Sequence, residues 1–163
     1  MRYYTGVGSR TAPTEILKLM TRVARKLSIV GFTLRSGGAK GCDSAFASGS
    51  SDSRIYIADD AKSRLDAKIL AKKYHQAWDR CNDYVQLLHA RNCLQVLGDD
   101  LETPSLFLIC WTPDGAISHN QRSIKTGGTG TAISIASKHN VPVFNLSLKT
   151  HFDRVSKWVH YLA

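Results

Sequence analysis

The stretch "TLRSGGAKGCDSAFASG", residues 33–49, decides how this chain is read. It opens β-prone, passes through Gly37, Gly38 and Gly41, and ends in small and apolar residues that suit a helix. A bare backbone between a strand and a helix either makes a tight turn or lets another group approach closely. The flanking sequence repeats the theme. "SIVGFTLRSGG" predicts a strand entering the loop, and a short helix follows from Cys42 to Ser48. Upstream, "MRYYTGVGSR" is a short β-prone run halted at Gly6 and Gly8. Residues 11–26 then carry Ile16, Leu19, Met20, Val23 and Ala24 at the 3-and-4 spacing of a helix, with Leu27 just beyond and Pro13 suited to the first turn. Downstream, "SRIYIA" predicts a third strand, and residues 61–97 predict two helices broken near Arg80 to Asp83. "SLFLICW" has the apolar run of a strand buried on both faces, and Cys110 within it fits a small buried hydrophobe. "GGTGTAISIASKHN" predicts a glycine-opened helix and "VPVFNL" a further strand. "HFDRVSKWVHYLA" predicts a closing helix with Trp158 and Tyr161 on its core stripe. Strands alternating with helices imply βαβ units, so the predicted fold class is α/β: one domain over residues 1–163, with a mostly parallel sheet flanked by helices.

Composition narrows the partners. With 22 Lys and Arg against 13 Asp and Glu, the net charge is +9, which favours anionic ligands or a generally basic surface. The basic residues form no run of five, so a nucleic-acid-binding tail is not expected. The four cysteines show no C-x-x-C spacing and the six histidines no H-E-x-x-H pattern, so neither a disulfide scaffold nor a metal site is expected. No run of 18 apolar residues and no leader pattern is present. The expectation is a cytoplasmic protein with no membrane contact and no cofactor.

Glycine-rich loops stand at three predicted strand-to-helix junctions: Gly6 to Arg10, Ser36 to Gly41, and Gly127 to Thr131. In open parallel sheets ligands bind beyond the carboxyl ends of the strands, where helix N-termini offer backbone N–H groups and positive dipole ends. Three such loops in a chain of this charge point to phosphate. Lys40 is followed by Gly41 and Cys42, so this is no Walker loop, and "GVGSRT" lacks the third glycine of the dinucleotide fingerprint.

"GVGSR", "SGGAKGCDSAFASG" and "GGTGTAISIA" before "VPVFNL" resemble the SLOG superfamily, which joins the Rossmann domain of DNA-processing protein A with the Lonely-guy phosphoribohydrolases. "LHARN", residues 88–92, resembles the Arg-Asn segment near the phosphate site of those families. The resemblance implies a Rossmann-like fold and a ligand that is a nucleotide, a nucleotide-derived signal or single-stranded DNA. It also implies pairing of copies through helices. The expected ligand-binding residues are Gly8, Ser9 and Arg10 of the first loop and Ser36, Gly37, Gly38, Ala39 and Asp43 of the second. Arg91, Asn92 and Trp111 join them, with Gly127, Gly128, Thr129, Gly130 and Thr131 of the third loop.

In this reading Gly37 and Gly38 admit a phosphate, Ser36 donates its hydroxyl and Gly41 permits close packing. Asp43 either caps the helix or accepts a hydrogen bond from a ribose or base. Trp111 either stacks on a base or caps the core, and Arg10 either pairs with phosphate or is solvated. Residues 112–126 form a polar loop long enough to cover a ligand, with Arg122 and Lys125 adding positive charge.

One departure matters. The hydrolase branch carries P-G-G-x-G-T-x-x-E, whereas here Thr126 stands for the proline and Ser134 for the glutamate. A hydroxyl is a poor substitute for a carboxylate that stabilises positive charge or moves a proton. The expected function is therefore binding of a phosphorylated nucleotide or nucleotide-derived signal without turnover and without catalytic residues. It would suit a small viral or mobile-element protein that sequesters a defence signal. The alternatives are a nucleoside-monophosphate phosphoribohydrolase using Asp43 or Asp114, and a single-stranded DNA-binding protein. Weak nonspecific contact with nucleic acid is expected in any case.

Overall fold

The computed structural model describes residues 1–162. Among them five strands form one parallel sheet: β1 (Arg2–Gly6), β2 (Phe32–Gly37), β3 (Ser53–Tyr56), β4 (Leu108–Cys110) and β5 (Val143–Asn145). The spatial order is β3-β2-β1-β4-β5. The chain thus builds outward from β1 in one direction, then returns to build in the other, and the strand order reverses between β1 and β4. This is a single α/β Rossmann-like domain.

Six α-helices cover the sheet: α1 (Thr14–Ile29), α2 (Cys42–Gly49), α3 (Leu65–Tyr74), α4 (Asp83–Leu97), α5 (Thr129–Lys138) and α6 (Lys149–Tyr161). The core has two layers because each inner strand offers alternate side chains to opposite faces. Ile109 of β4 joins Tyr4, Leu34 and the apolar faces of α1, α2 and α6. Its neighbours Leu108 and Cys110 join the opposite layer under α3, α4 and α5. In α1, Ile16, Leu19, Met20, Val23, Ala24 and Leu27 are all buried, as their spacing predicts.

Some boundaries differ from expectation. Ser28 and Ile29 belong to α1, not to the second strand, and the chain turns at Val30 and Gly31. In "SLFLICW" only Leu108–Cys110 is strand, and Leu106 is exposed. The break between the long helices runs over residues 75–82, wider than predicted. There, Asn82 caps α4 by accepting the Val85 N–H at 2.9 Å. Trp158 packs edge-on against Phe107 and Phe144, but Tyr161 is 81% exposed, while Val159 and Leu162 beside it pack against the core.

Candidate functional site

The carboxyl ends of β1 and β2, one face of α4 and the N-terminus of α5 enclose a cavity of about 360 Å³ at the strand-order reversal. The backbone there is layered. Gly41 has φ +85°, and a Cβ on it would meet the Arg10 Cα at 2.7 Å and the Ser9 carbonyl at 2.8 Å. The absent side chain lets the second loop lie directly on the first, and the Cys42 N–H donates to the Ser9 carbonyl at 3.3 Å.

Of the residues expected at the site, the cavity gathers Gly8, Ser9, Arg10, Ala39, Asp43, Arg91, Asn92, Gly127, Gly128 and Thr129. Lys125 and Thr126 complete its rim, and Val7, Val85, Leu88 and Ala132 give it an apolar wall. Four others stand apart. Ser36 is fully buried and donates its hydroxyl to the Gly6 carbonyl at 2.5 Å, so that hydroxyl is already used. Gly38 is exposed outside the cavity, with only Ile57 near it. Gly37 lies beneath the site, where a Cβ would meet Asp43 Oδ2 at 2.6 Å, Gln95 Nε2 at 2.7 Å and Arg91 Nη1 at 2.9 Å. Trp111 lies outside the cavity, half-buried and packed against the α1 layer. Gly130 and Thr131 line a second, larger cavity of about 800 Å³ that adjoins the first through Gly127 and Gly128.

Asp43 is not a helix cap, since Gly41 holds the N-cap position of α2. Its carboxyl is only 4% exposed. Burial raises it to about 6, against the pull of the Arg91 guanidinium and of the Ala39, Gly8 and Gly37 backbone amides. Those amides, expected to cradle a phosphate, thus already face a resident carboxyl. The free donors are elsewhere. Gly128 opens α5 with no side-chain cap, and a Cβ on it would meet nothing within 4 Å, whereas the neighbouring Gly127 N–H is already donated to the Ile124 carbonyl at 3.3 Å. Asn92 holds this turn by donating Nδ2 to the Gly128 carbonyl at 3.0 Å.

Buried polar atoms mark the floor. Among the described residues, Arg91 Nε and both amide atoms of Gln95 have no hydrogen-bond partner. Buried groups of this kind are costly unless something completes them. Gln95 was not anticipated, because nothing in the sequence distinguishes it from any glutamine on a helix.

The loop of residues 112–126 is tied down. Burial pushes the Asp114 carboxyl up, but the hydroxyls of Thr126, Ser123 and Thr112 outweigh it and hold the group at about 2. Thr112 and Ser123 donate to it at 2.8 and 2.7 Å, and Thr126 donates as well. Asp114 is therefore ionised at neutral pH, a poor proton donor but a firm clasp. Ser134 is fully buried and shares a 2.9 Å hydrogen bond with His119 Nδ1.

A second grouping also went unforeseen. His75, Cys81 and His89 place one donor atom each within 4.8 Å of one another. The spacing H-x5-C-x7-H matches no familiar motif, because the cluster forms only when residues 75–82 fold back on α4. Burial lowers both imidazoles, His89 to about 4, so both rings are neutral at pH 7. The remaining thiols are buried, and burial raises Cys42 and Cys93 to about 12.

No protein-family model matches this chain, and neither does any curated protein or solved structure. Among the described residues, no helix is long and apolar enough to cross a membrane.

Proposed function

We propose that the cavity binds a phosphorylated nucleotide or nucleotide-derived small molecule. One observation carries this reading: the uncapped N-terminus of α5 at Gly128 and Thr129 faces the same cavity as Arg10, Arg91 and Lys125. Helix dipole, free amides and three cations there favour an anion, and the apolar wall suits a base or ribose. The resemblance to the SLOG superfamily points the same way. A protein that holds such a ligand without converting it would act as a sensor or a sequestering agent.

Turnover is a second reading, supported by the Asp43 carboxyl at about 6 in a cavity beside Arg91. It would protonate the departing base during N-glycosidic cleavage of a nucleoside monophosphate. Asp114, held ionised, is unsuited to that role.

Gly128→Val separates the site from the fold. The added side chain has free space on the protein side and projects where the ligand would lie. Calorimetry with a panel of nucleoside monophosphates and cyclic nucleotides should show binding to wild type that weakens at least about tenfold in the variant, with the unfolding free energy unchanged within about 1 kcal/mol. Equal affinities would remove the α5 turn from the site. Free base released from a monophosphate by wild type and not by Asp43→Asn would replace the binding reading with turnover.

A further inference from the structure

We propose that His75, Cys81 and His89 form a zinc site whose fourth position opens onto the larger cavity beside the α5 N-terminus. Two imidazoles and a thiolate are a donor set for Zn²⁺ and not for Mg²⁺ or Ca²⁺, which take oxygen. The spacing is close to what the ion needs. Bonds of about 2.0–2.3 Å in a tetrahedron put neighbouring donor atoms about 3.3–3.8 Å apart. Cys81 Sγ and His75 Nε2 stand at 3.9 Å, and the centroids of the two imidazole rings at 4.2 Å. All three donors lie within 4.8 Å, so closure asks for a shift of about 1.5 Å at most. The elements can supply it unequally. His89 is fixed on α4, while His75 and Cys81 sit at either end of the irregular residues 75–82.

The surroundings fit a metal site as well. His89 Nδ1 is 2.8 Å from Thr131 Oγ1, an outer hydrogen bond that orients the ring and leaves Nε2 for a metal. His75 Nδ1 accepts the Ala77 N–H at 3.2 Å, so binding at Nε2 moves that ring's proton to Nδ1 and gives up this one long hydrogen bond. The Cys81 thiol releases its proton to solvent, leaving Zn²⁺ with one thiolate and a net charge of +1. His75 and His89 both line the cavity that holds Arg122, Gly127 and Gly128. A cationic centre there, beside the Arg122 guanidinium, takes water or an anionic oxygen as its fourth ligand. The site would also pin residues 75–82 onto α4, where packing otherwise rests on Trp78 and the Gln86 side chain.

The test uses Co²⁺ alone as probe, on full-length protein stripped with a chelator. Expected is one equivalent bound with an intense near-ultraviolet sulfur-to-cobalt charge-transfer band, abolished by one equivalent of Zn²⁺. Zn²⁺ should raise the wild-type unfolding midpoint. Cys81→Ala lies outside both cavities at a half-buried position, so circular dichroism should show its fold intact. It should lose the band and bind Zn²⁺ about 100-fold more weakly or worse. No charge-transfer band in wild type, or a band that survives in Cys81→Ala, would overturn the proposal.

Discussion

Arg91→Ala should bind a nucleoside monophosphate at least about 30-fold more weakly than wild type. Truncating one partner of a buried, hydrogen-bonded charge pair costs about 2–5 kcal/mol, and the lower figure alone is about 30-fold. Two effects add. The guanidinium, whose Nε has no partner in the protein, is lost to the ligand. Asp43 also loses the cation that offsets its burial, so its carboxyl rises above about 6. That second effect has a pH signature. In wild type the folded Asp43 carboxyl titrates near 6, above its ordinary 3.8, so protonation favours the folded state and the advantage fades as pH rises through about 6. A bound phosphodiester, whose own charge is constant in that range, should bind best below pH 6 and more weakly above it. In Arg91→Ala the midpoint should move to higher pH. Calorimetry between pH 5 and 8 reads both effects, and an unchanged affinity would place the ligand away from Arg91.

Gly49→Ala should destabilise the fold by about 3 kcal/mol or more, at the upper end of overpacking costs. Gly49 closes α2 against α1, where a Cβ would land on the Thr21 carbonyl oxygen and 3.0 Å from the Ala24 methyl. The obstacle is backbone, so no rotamer change relieves it. The two helices would have to part, loosening the hydrogen bond from Thr21 Oγ1 to the Ala45 carbonyl at 3.0 Å. Because α2 begins at the second glycine loop, ligand affinity should fall with stability. Urea denaturation checks this, and a loss below about 0.5 kcal/mol would show that the helix contact yields more easily than its geometry implies.

The alternation of strands and helices was legible because each element carries its own periodicity, as in the six buried positions of α1. The glycine loops were legible for a similar reason: Gly41 and Gly127 answer to local backbone demands that leave a compositional trace. Direction was not legible. Ser36 and Trp111 sit in or beside the right loops, yet one turns its hydroxyl to the Gly6 carbonyl and the other packs into the core. Whether a strand-end side chain faces the cleft depends on register and twist, which single residue types do not encode. Asp43 was read as a cap or a ligand contact; it is not the cap, and it lines the cavity while lying buried among the amides of both loops. The cluster of His75, Cys81 and His89 was invisible because its members meet through tertiary folding alone.

The central claim is a small anionic ligand held by directed contacts, and a salt titration of two affinities on one preparation tests it most directly. A polynucleotide releases counterions with every phosphate neutralised, so its affinity falls with a log–log slope of about −0.7 per phosphate on a single strand. A mononucleotide or cyclic nucleotide in the cavity engages one to a few phosphates and leans on amides and the α5 dipole, so its slope should be shallow. With a net charge of +9, some oligonucleotide binding at low salt is expected and decides nothing. The predicted result is nucleotide binding that persists at physiological salt while oligonucleotide binding vanishes. Tight oligonucleotide binding at physiological salt, with no mononucleotide or cyclic nucleotide bound, would contradict it.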